Sequence, residues 1–134
     1  MRILVIDDDR QIRALLRRCF TRDGHEVVEA EDGATGLAAF AAAPADLVVI
    51  DLFMPGGNGW DTIRDLQDRS PGVPFLVISG GAPLEGLKRG STATLERMHG
   101  LAPFRVLRKP LGLEALRSAV AELLCGSAAA VGGR

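Results

Sequence analysis

Five short apolar runs alternate with stretches of helical periodicity, and this alternation constrains the fold more than any other feature. Three of the runs are continuously apolar and rich in Val and Ile, which is typical of strands buried on both faces of a parallel sheet. The second run carries Glu26 and Glu29 beside Val27 and Val28, which is typical of an edge strand. The five predicted strands are Arg2–Ile6, Glu26–Glu29, Asp46–Ile50, Pro74–Ile78 and Phe104–Leu107.

The segments between these runs predict helices. Apolar residues from Ile12 to Cys19 follow the i, i+3, i+4, i+7 spacing of one helix face. Further helices are predicted for 33–43, around Ile63 and Leu66, and from Leu113 to Leu124. The segment 80–102 is rich in Gly and Pro, and we expect one or two short helices there. Strands that alternate with helices predict βαβ units with helices on both faces of the sheet.

Length and composition predict one globular domain. The chain has 134 residues, 47% of them hydrophobic, and we expect a domain over residues 1–125 followed by a flexible tail at 126–134. The net charge of −1 argues against bulk attraction to nucleic acid or to an anionic membrane. No apolar run reaches the roughly 18 residues that span a bilayer, so we expect a cytoplasmic protein. Cys19 and Cys125 are far apart in sequence and are interpreted as reduced packing residues.

Polar residues that can do chemistry follow four of the five predicted strands. The carboxyl ends of parallel strands lie at one rim of the sheet, which is where ligands bind in such folds. We therefore expect these side chains to converge although they are distant in sequence. They are Asp7, Asp8 and Asp9 after the first strand, Asp51 after the third, Ser79 after the fourth and Lys109 after the fifth.

These residue types suit phosphoryl transfer at a divalent cation. Crowded carboxylates repel one another unless a cation is present, and Mg²⁺ accepts one or two carboxylates while keeping positions for water and phosphate. A carboxylate beside such an ion can attack a phosphoryl group and become an aspartyl phosphate. A lysine and a hydroxyl can then stabilise the charge on the phosphoryl oxygens.

Four motifs in this order resemble the receiver domains of bacterial two-component response regulators, the CheY-like family. They are Ile3–Asp9, Asp51–Gly59, Val77–Gly80 and Leu107–Pro110. The resemblance covers residues 1 to about 125 and implies a flavodoxin-like, doubly wound α/β fold. Its five parallel strands would lie in the order 2-1-3-4-5, with helices on both faces of the sheet.

The resemblance also implies a role for each residue at the rim. Asp51 would accept a phosphoryl group from a histidine kinase or a histidine phosphotransfer protein. Asp8, Asp51 and the backbone carbonyl of Phe53 would bind Mg²⁺ directly, and Asp7 would bind it mainly through a metal-bound water. Lys109 would pair with Asp51 or its phosphoryl group, the Ser79 hydroxyl would contact a phosphoryl oxygen, and Lys109–Pro110 would be a cis peptide.

Partners and activity follow from the same resemblance. The domain would bind a downstream protein through its fourth helix, fifth strand and fifth helix, without direct nucleic-acid contact or membrane insertion. It would catalyse at most its own phosphorylation and dephosphorylation, and it would not be an enzyme in the usual sense.

Two departures from the family pattern concern the response to phosphorylation. Val106 stands where receivers usually carry Tyr or Phe, although Phe104 shares its strand face by period-two alternation. Ser79 and Lys109 are also separated by more residues than is usual, in the region of the fourth helix. These departures favour an alternative, an interaction module that signals without phosphorylation.

Other interpretations of single features remain open. Asp9 could simply cap the first helix, and Gly56, Gly57 and Gly59 are interpreted as a flexible turn because no P-loop lysine follows them. A phosphohydrolase with an aspartyl nucleophile is disfavoured, since such enzymes place a second aspartate where this chain has Phe53.

Overall fold

The structure is a computed structural model that describes residues 1–52, 59–79 and 103–133, apart from the side chains of Ser79 and of residues 125–133. The strands are β1 Arg2–Ile6, β2 Glu26–Ala30, β3 Leu47–Asp51, β4 Phe75–Ser79 and β5 Phe104–Arg108. The helices in the described ranges are α1 Arg10–Arg22, α2 Gly33–Ala42, α3 Gly59–Arg69 and α4 Leu113–Gly133. The helices predicted within 80–102 lie outside the described residues.

All five strands are parallel and form one sheet in the order β2-β1-β3-β4-β5. The prediction of a doubly wound, flavodoxin-like α/β fold is therefore confirmed. The predicted strand boundaries are right to within one residue, and β2 is an edge strand as its two glutamates indicated.

Each face of the sheet carries its own hydrophobic core because neighbouring strand residues point to opposite faces. Side chains such as Ile6, Val48 and Ile50 pack with α2 and α3, and side chains such as Ile3, Val5 and Val49 pack with α1 and α4. These strand residues are at most 1% exposed. Burial on both faces explains why β1, β3 and β4 are continuously apolar in sequence.

Aspartates define the beginnings of two helices. Asp9 is the N-cap of α1, and its Oδ1 accepts hydrogen bonds from the backbone N–H of Gln11 at 2.8 Å and of Ile12 at 3.4 Å. Asp32 caps α2 by accepting from the N–H of Thr35 at 2.8 Å. The capping interpretation of Asp9 is therefore confirmed, and this carboxylate satisfies helix donors that would otherwise lack partners.

The C-terminal helix α4 continues to Gly133, beyond the last residue of its predicted apolar face, Leu124. The segment after Leu124 contains alanine, the residue with the highest helix propensity, as well as three glycines. The flexible tail at 126–134 stays a prediction. The boundary of the folded domain at residue 125 stays a prediction.

Among the described residues, no helix combines the length and the apolar composition needed to cross a lipid bilayer. Cys19 is a half-buried free thiol packed against the core between α1 and α4, as predicted, and burial raises its pKa. The side chain of Cys125 lies outside the described part of the chain.

Candidate functional site

The sheet fixes the backbone on both sides of the acidic rim. Asp7 follows β1 directly, and its N–H donates a hydrogen bond to the carbonyl of Ala30 at 3.1 Å. Asp51 is the last residue of β3, and the next residue, Leu52, donates to the carbonyl of Ile78 at 3.0 Å. The parallel ladder therefore continues past the strand ends and holds both aspartates at one rim, as predicted.

Three carboxylates meet at this rim. One oxygen from each of Asp7, Asp8 and Asp51 lies within 4.8 Å of the others. Asp7 is 1% exposed and Asp51 is 4% exposed, whereas Asp8 is exposed to solvent. Two of the three charges are thus held in the protein interior, where repulsion between carboxylates is stronger than in water.

Lys109 brings one positive charge to the carboxylates from the far end of the chain. Its Nζ lies 3.1 Å from Oδ2 of Asp51 and 3.5 Å from Oδ2 of Asp7. The residue follows β5 directly, and the Lys109–Pro110 peptide bond is cis, as predicted. The structure therefore brings Asp7, Asp8, Asp51 and Lys109 together although Asp51 and Lys109 are 58 residues apart.

Burial and charge shift two pKa values at the rim. Burial raises the pKa of Asp7, and the neighbouring Asp51 carboxylate raises it further, against the hydrogen bond from the Asp9 backbone. Burial alone would lower the pKa of Lys109, but the hydrogen bond to Asp51 and the charge of Asp7 outweigh it and raise the pKa above 10.5. Lys109 is therefore an ammonium ion at neutral pH.

The donor set fits a hard divalent cation. Oδ2 of Asp7 is buried and accepts no hydrogen bond from the described residues. When ionised, the three carboxylates and one ammonium sum to a charge of −3 + 1 = −2. Clustered carboxylate oxygens, one of them buried without a hydrogen bond, are a suitable ligand set for Mg²⁺.

Gly59 allows α3 to begin directly against the rim. A Cβ atom at this position would lie 2.8 Å from Cα of Leu52 and 2.9 Å from the carbonyl oxygen of Asp51. Both neighbours are backbone atoms that cannot rotate away. Any larger residue here would therefore displace α3 or the backbone of Asp51.

Two other predicted site residues are described only in part or lie outside the described residues. Ser79 ends β4 and pairs with Arg108 on β5, which places its backbone at the same rim, but its side chain is not described. The backbone carbonyl of Phe53 lies outside the described residues.

The strand face of Val106 is as predicted. Val106 and Phe104 are both half-buried and pack against the core beneath α2 and α3, while Leu107 packs against the opposite core.

Sequence reasoning missed a second charged cluster beside the rim. Glu29 on β2 accepts hydrogen bonds from Nε of Arg13 at 3.3 Å and from Nε of Arg17. Arg13 also donates from Nη1 to the backbone carbonyl of Asp7 at 2.6 Å. In the sequence, each of these three residues is typical of a charged surface side chain. The cluster becomes predictable only when α1 is known to pack on the face of β2 that carries Val27 and Glu29, because this packing brings Arg13 and Arg17 to Glu29.

The family model for the response regulator receiver domain matches residues 3–121. The chain therefore belongs to this family, which consists of phosphoacceptor regulatory domains of two-component signalling and not of classical enzymes. Receiver domains generally bind Mg²⁺ through acidic residues, in keeping with the carboxylate cluster.

Individual relatives agree with this assignment. The chain is 36% identical over 126 residues to the response regulator MprA of Mycobacterium avium (strain 104) and 35% identical to MprA of Mycobacterium leprae (strain TN). Each alignment covers 92% of this chain but 51% of the relative, so the chain spans about half the length of these proteins.

Solved structures agree as well. A receiver domain protein from Clostridium thermocellum has a TM-score of 0.78 at 26% identity, over 95% of this chain and 96% of its own. The receiver domain of NtrX from Brucella abortus has a TM-score of 0.78 at 27% identity, over 91% of this chain and 97% of its own.

Proposed function

We propose that Asp51 accepts a phosphoryl group from the phosphohistidine of a histidine kinase or a histidine phosphotransfer protein, and that the phosphorylated domain changes its binding to a partner protein. The observation that carries the proposal is the ion pair of Asp51 with Lys109 beside two further carboxylates. Asp51 is 4% exposed, whereas an ordinary surface aspartate is mostly exposed and lacks this set of neighbouring charges.

The transfer exchanges one bond to phosphorus for another. A carboxylate oxygen of Asp51 attacks phosphorus, the bond between phosphorus and the imidazole nitrogen breaks, and its electron pair stays on the imidazole. The product is an acyl phosphate on Asp51. Lys109 is already 3.1 Å from this carboxylate and donates a hydrogen bond to a phosphoryl oxygen as negative charge collects there. The hydroxyl of Ser79 serves as a second donor.

Asp7, Asp8, Asp51 and the backbone carbonyl of Phe53 would hold a Mg²⁺ ion. When bound, this ion neutralises charge on the phosphoryl oxygens and on the crowded carboxylates. The buried Oδ2 of Asp7 supports this assignment, because it accepts no short hydrogen bond from the described residues and shares the ammonium of Lys109, 3.5 Å away, with Asp51. A weakly paired buried carboxylate oxygen is costly and favours a further cation.

The output surface would include β5 and α4, together with the segment 80–102. Val106 lies on β5, an edge strand of the sheet, and pairs with Val77 on β4. A change in partner binding would have to spread from Asp51 without an aromatic side chain at this position. The kinase and the target protein would be recognised by surfaces outside the acidic rim.

Chemical phosphorylation tests the proposal. The protein is incubated with acetyl phosphate and Mg²⁺, and intact mass is measured for the wild type, Asp51→Asn and Asp61→Asn, an exposed aspartate on α3. We expect one phosphoryl group on the wild type and on Asp61→Asn, and none on Asp51→Asn. Pull-downs with phosphorylated and unphosphorylated protein then identify partners that distinguish the two states.

Val106 supports a second candidate, an interaction module that binds its partner without phosphorylation. This candidate predicts equal partner binding by the wild type with and without the phosphoryl donor, and by Asp51→Asn. The buried carboxylates and Lys109 favour the first candidate, because a module without phosphorylation has no use for a repulsive acidic rim.

A further inference from the structure

Arg13 contacts the acidic rim without belonging to it. It lies in the first turn of α1, and its side chain is 15% exposed, which is low for an arginine. From α1 it donates to the carbonyl of Asp7 at 2.6 Å and to Glu29 at 3.3 Å. The guanidinium group therefore joins β2, α1 and the turn after β1.

The carbonyl of Asp7 belongs to the peptide group that links Asp7 to Asp8. Because a peptide group is planar, a hydrogen bond to this oxygen fixes the orientation of the whole unit. The Asp7 N–H is held by Ala30, and its Oδ1 accepts from the N–H of Asp9 at 2.8 Å. With the Arg13 bond added, the turn is held at three atoms of Asp7, and this constrains the backbone from which the exposed Asp8 side chain extends.

Glu29 in turn fixes Arg13. Hydrogen bonds from Arg17 and Arg13 lower the pKa of Glu29, so it is ionised at neutral pH. Arg13 uses Nε for Glu29 and Nη1 for Asp7, and this use of two donors in a rigid fork is specific to a guanidinium. Arg17 binds the same Glu29 but reaches the carbonyl of Val27 instead of Asp7. Arg17 is thus a natural control.

We infer that Arg13 is a positioning residue for the divalent-cation site: it holds the Asp7–Asp8 peptide so that both carboxylates face Asp51. The inference rests on the proposed cation site. Outer contacts that orient metal ligands are worth about 10- to 100-fold in metal affinity, which sets the expected size of the effect.

Electrostatics alone predicts the opposite sign. Replacing Arg13 by Met removes a positive charge near the carboxylates, and this removal by itself strengthens the binding of a cation. Loss of the hydrogen bond that positions the Asp7–Asp8 peptide weakens the binding of a cation. The direction of the change in affinity therefore separates the two effects.

The test is a Mg²⁺ titration of the unphosphorylated full chain, followed by the fluorescence of Trp60, its single tryptophan. Trp60 lies next to Gly59, whose backbone packs against that of Asp51. Wild type, Arg13→Met, Arg17→Met and Arg13→Lys are compared. We expect the Kd for Mg²⁺ to rise about tenfold or more in Arg13→Met and to stay within about twofold of wild type in Arg17→Met. Arg13→Lys keeps the charge with a single donor group, and we expect an intermediate Kd.

Amide resonances of the metal-free protein provide a second readout. The N–H signals of Asp8 and Asp9 should shift in Arg13→Met and stay in place in Arg17→Met. A general loss of stability would not shift these two signals selectively. If Arg13→Met does not fold, Arg13→Lys is compared with Arg17→Lys in the same titration and spectra.

Equal or tighter Mg²⁺ binding by Arg13→Met, or equal losses in the Arg13 and Arg17 variants, would overturn the inference. Failure of the proposed cation site is a different result, since in that case the wild type itself does not respond to Mg²⁺.

Discussion

Asp7 and Glu29 lie near the ends of the neighbouring strands β1 and β2, and their surroundings differ in almost every physical respect. The Asp7 side chain is 1% exposed, faces two further carboxylates, and has a raised pKa. The Glu29 side chain is 28% exposed, is bonded to two arginines, and has a lowered pKa. The charge of Glu29 is more than compensated by its two arginines, whereas the Asp7 cluster has an excess of negative charge.

This contrast separates a structural cluster from a site that binds ligands. Two guanidinium groups more than offset the charge of Glu29 within the protein, so Glu29 does not need a bound cation. The ammonium of Lys109 is shared between Asp7 and Asp51, and the remaining negative charge can be compensated by a bound cation. Repulsion among the rim carboxylates is therefore expected to destabilise the metal-free protein, and binding of a cation is expected to restore the lost stability.

The largest effect is expected from Lys109→Ala. Loss of the ammonium removes a donor to the transferring phosphoryl group, and loss of one such donor typically slows a reaction about 100-fold or more. The rate of phosphorylation by acetyl phosphate is measured at saturating Mg²⁺. Arg108→Ala, the exposed neighbour on β5, is the matched control and should keep the wild-type rate. A rate for Lys109→Ala near that of the wild type would contradict the role given to this residue.

A smaller effect is expected from Asp7→Asn, which should stabilise the metal-free protein instead of destabilising it. The amide keeps the oxygen that accepts from Asp9 but removes one repelling buried charge. We expect the metal-free variant to be more stable than the wild type by about 1 kcal/mol in urea denaturation. We also expect Mg²⁺ to stabilise the wild type and to have little effect on the variant. A metal-free variant that is less stable than the wild type would show that the rim is not electrostatically strained.

The smallest effect is expected from Glu29→Gln, at about 0.5 kcal/mol of lost stability at neutral pH, because the cluster is partly exposed. The pKa of Glu29 is lowered in the folded protein, so its ionised form stabilises the fold at pH values above its ordinary pKa of 4.5. This contribution is lost as the pH falls through the lower folded-state pKa. The stability difference between variant and wild type should therefore shrink in acid.

Glu26→Gln on the same strand is the control, since Glu26 is more exposed and binds Arg2. A stability difference for Glu29→Gln that grows as the pH falls would contradict the assignment.

Sequence predicted one half of the Asp7–Glu29 comparison and missed the other. Asp7 was predictable because it follows a continuously apolar strand, and the carboxyl ends of parallel strands share one rim. The same rule places Asp51 and Lys109 at this rim, and the resemblance to receiver domains implies that they pair. Glu29 was interpreted only as a mark of an edge strand. Its partners Arg13 and Arg17 lie on a helix whose rotation about its own axis is set by core residues such as Leu16 and Phe20.

The end of α4 is a second feature that the sequence does not determine. Small residues after Leu124 predict a flexible tail, whereas α4 extends to Gly133. Small size and helix propensity are separate properties, and alanine combines both, so composition alone does not fix the end of this helix.

The phosphorylated residue can be identified chemically. Protein treated with acetyl phosphate and Mg²⁺ is reduced with borohydride, which converts an aspartyl phosphate to homoserine, and is then digested and sequenced by mass spectrometry. We expect homoserine at position 51 and unchanged aspartate at positions 7 and 8. Homoserine at another position, or a phosphoryl group on a serine or histidine with Asp51 unmodified, would contradict the role proposed for Asp51.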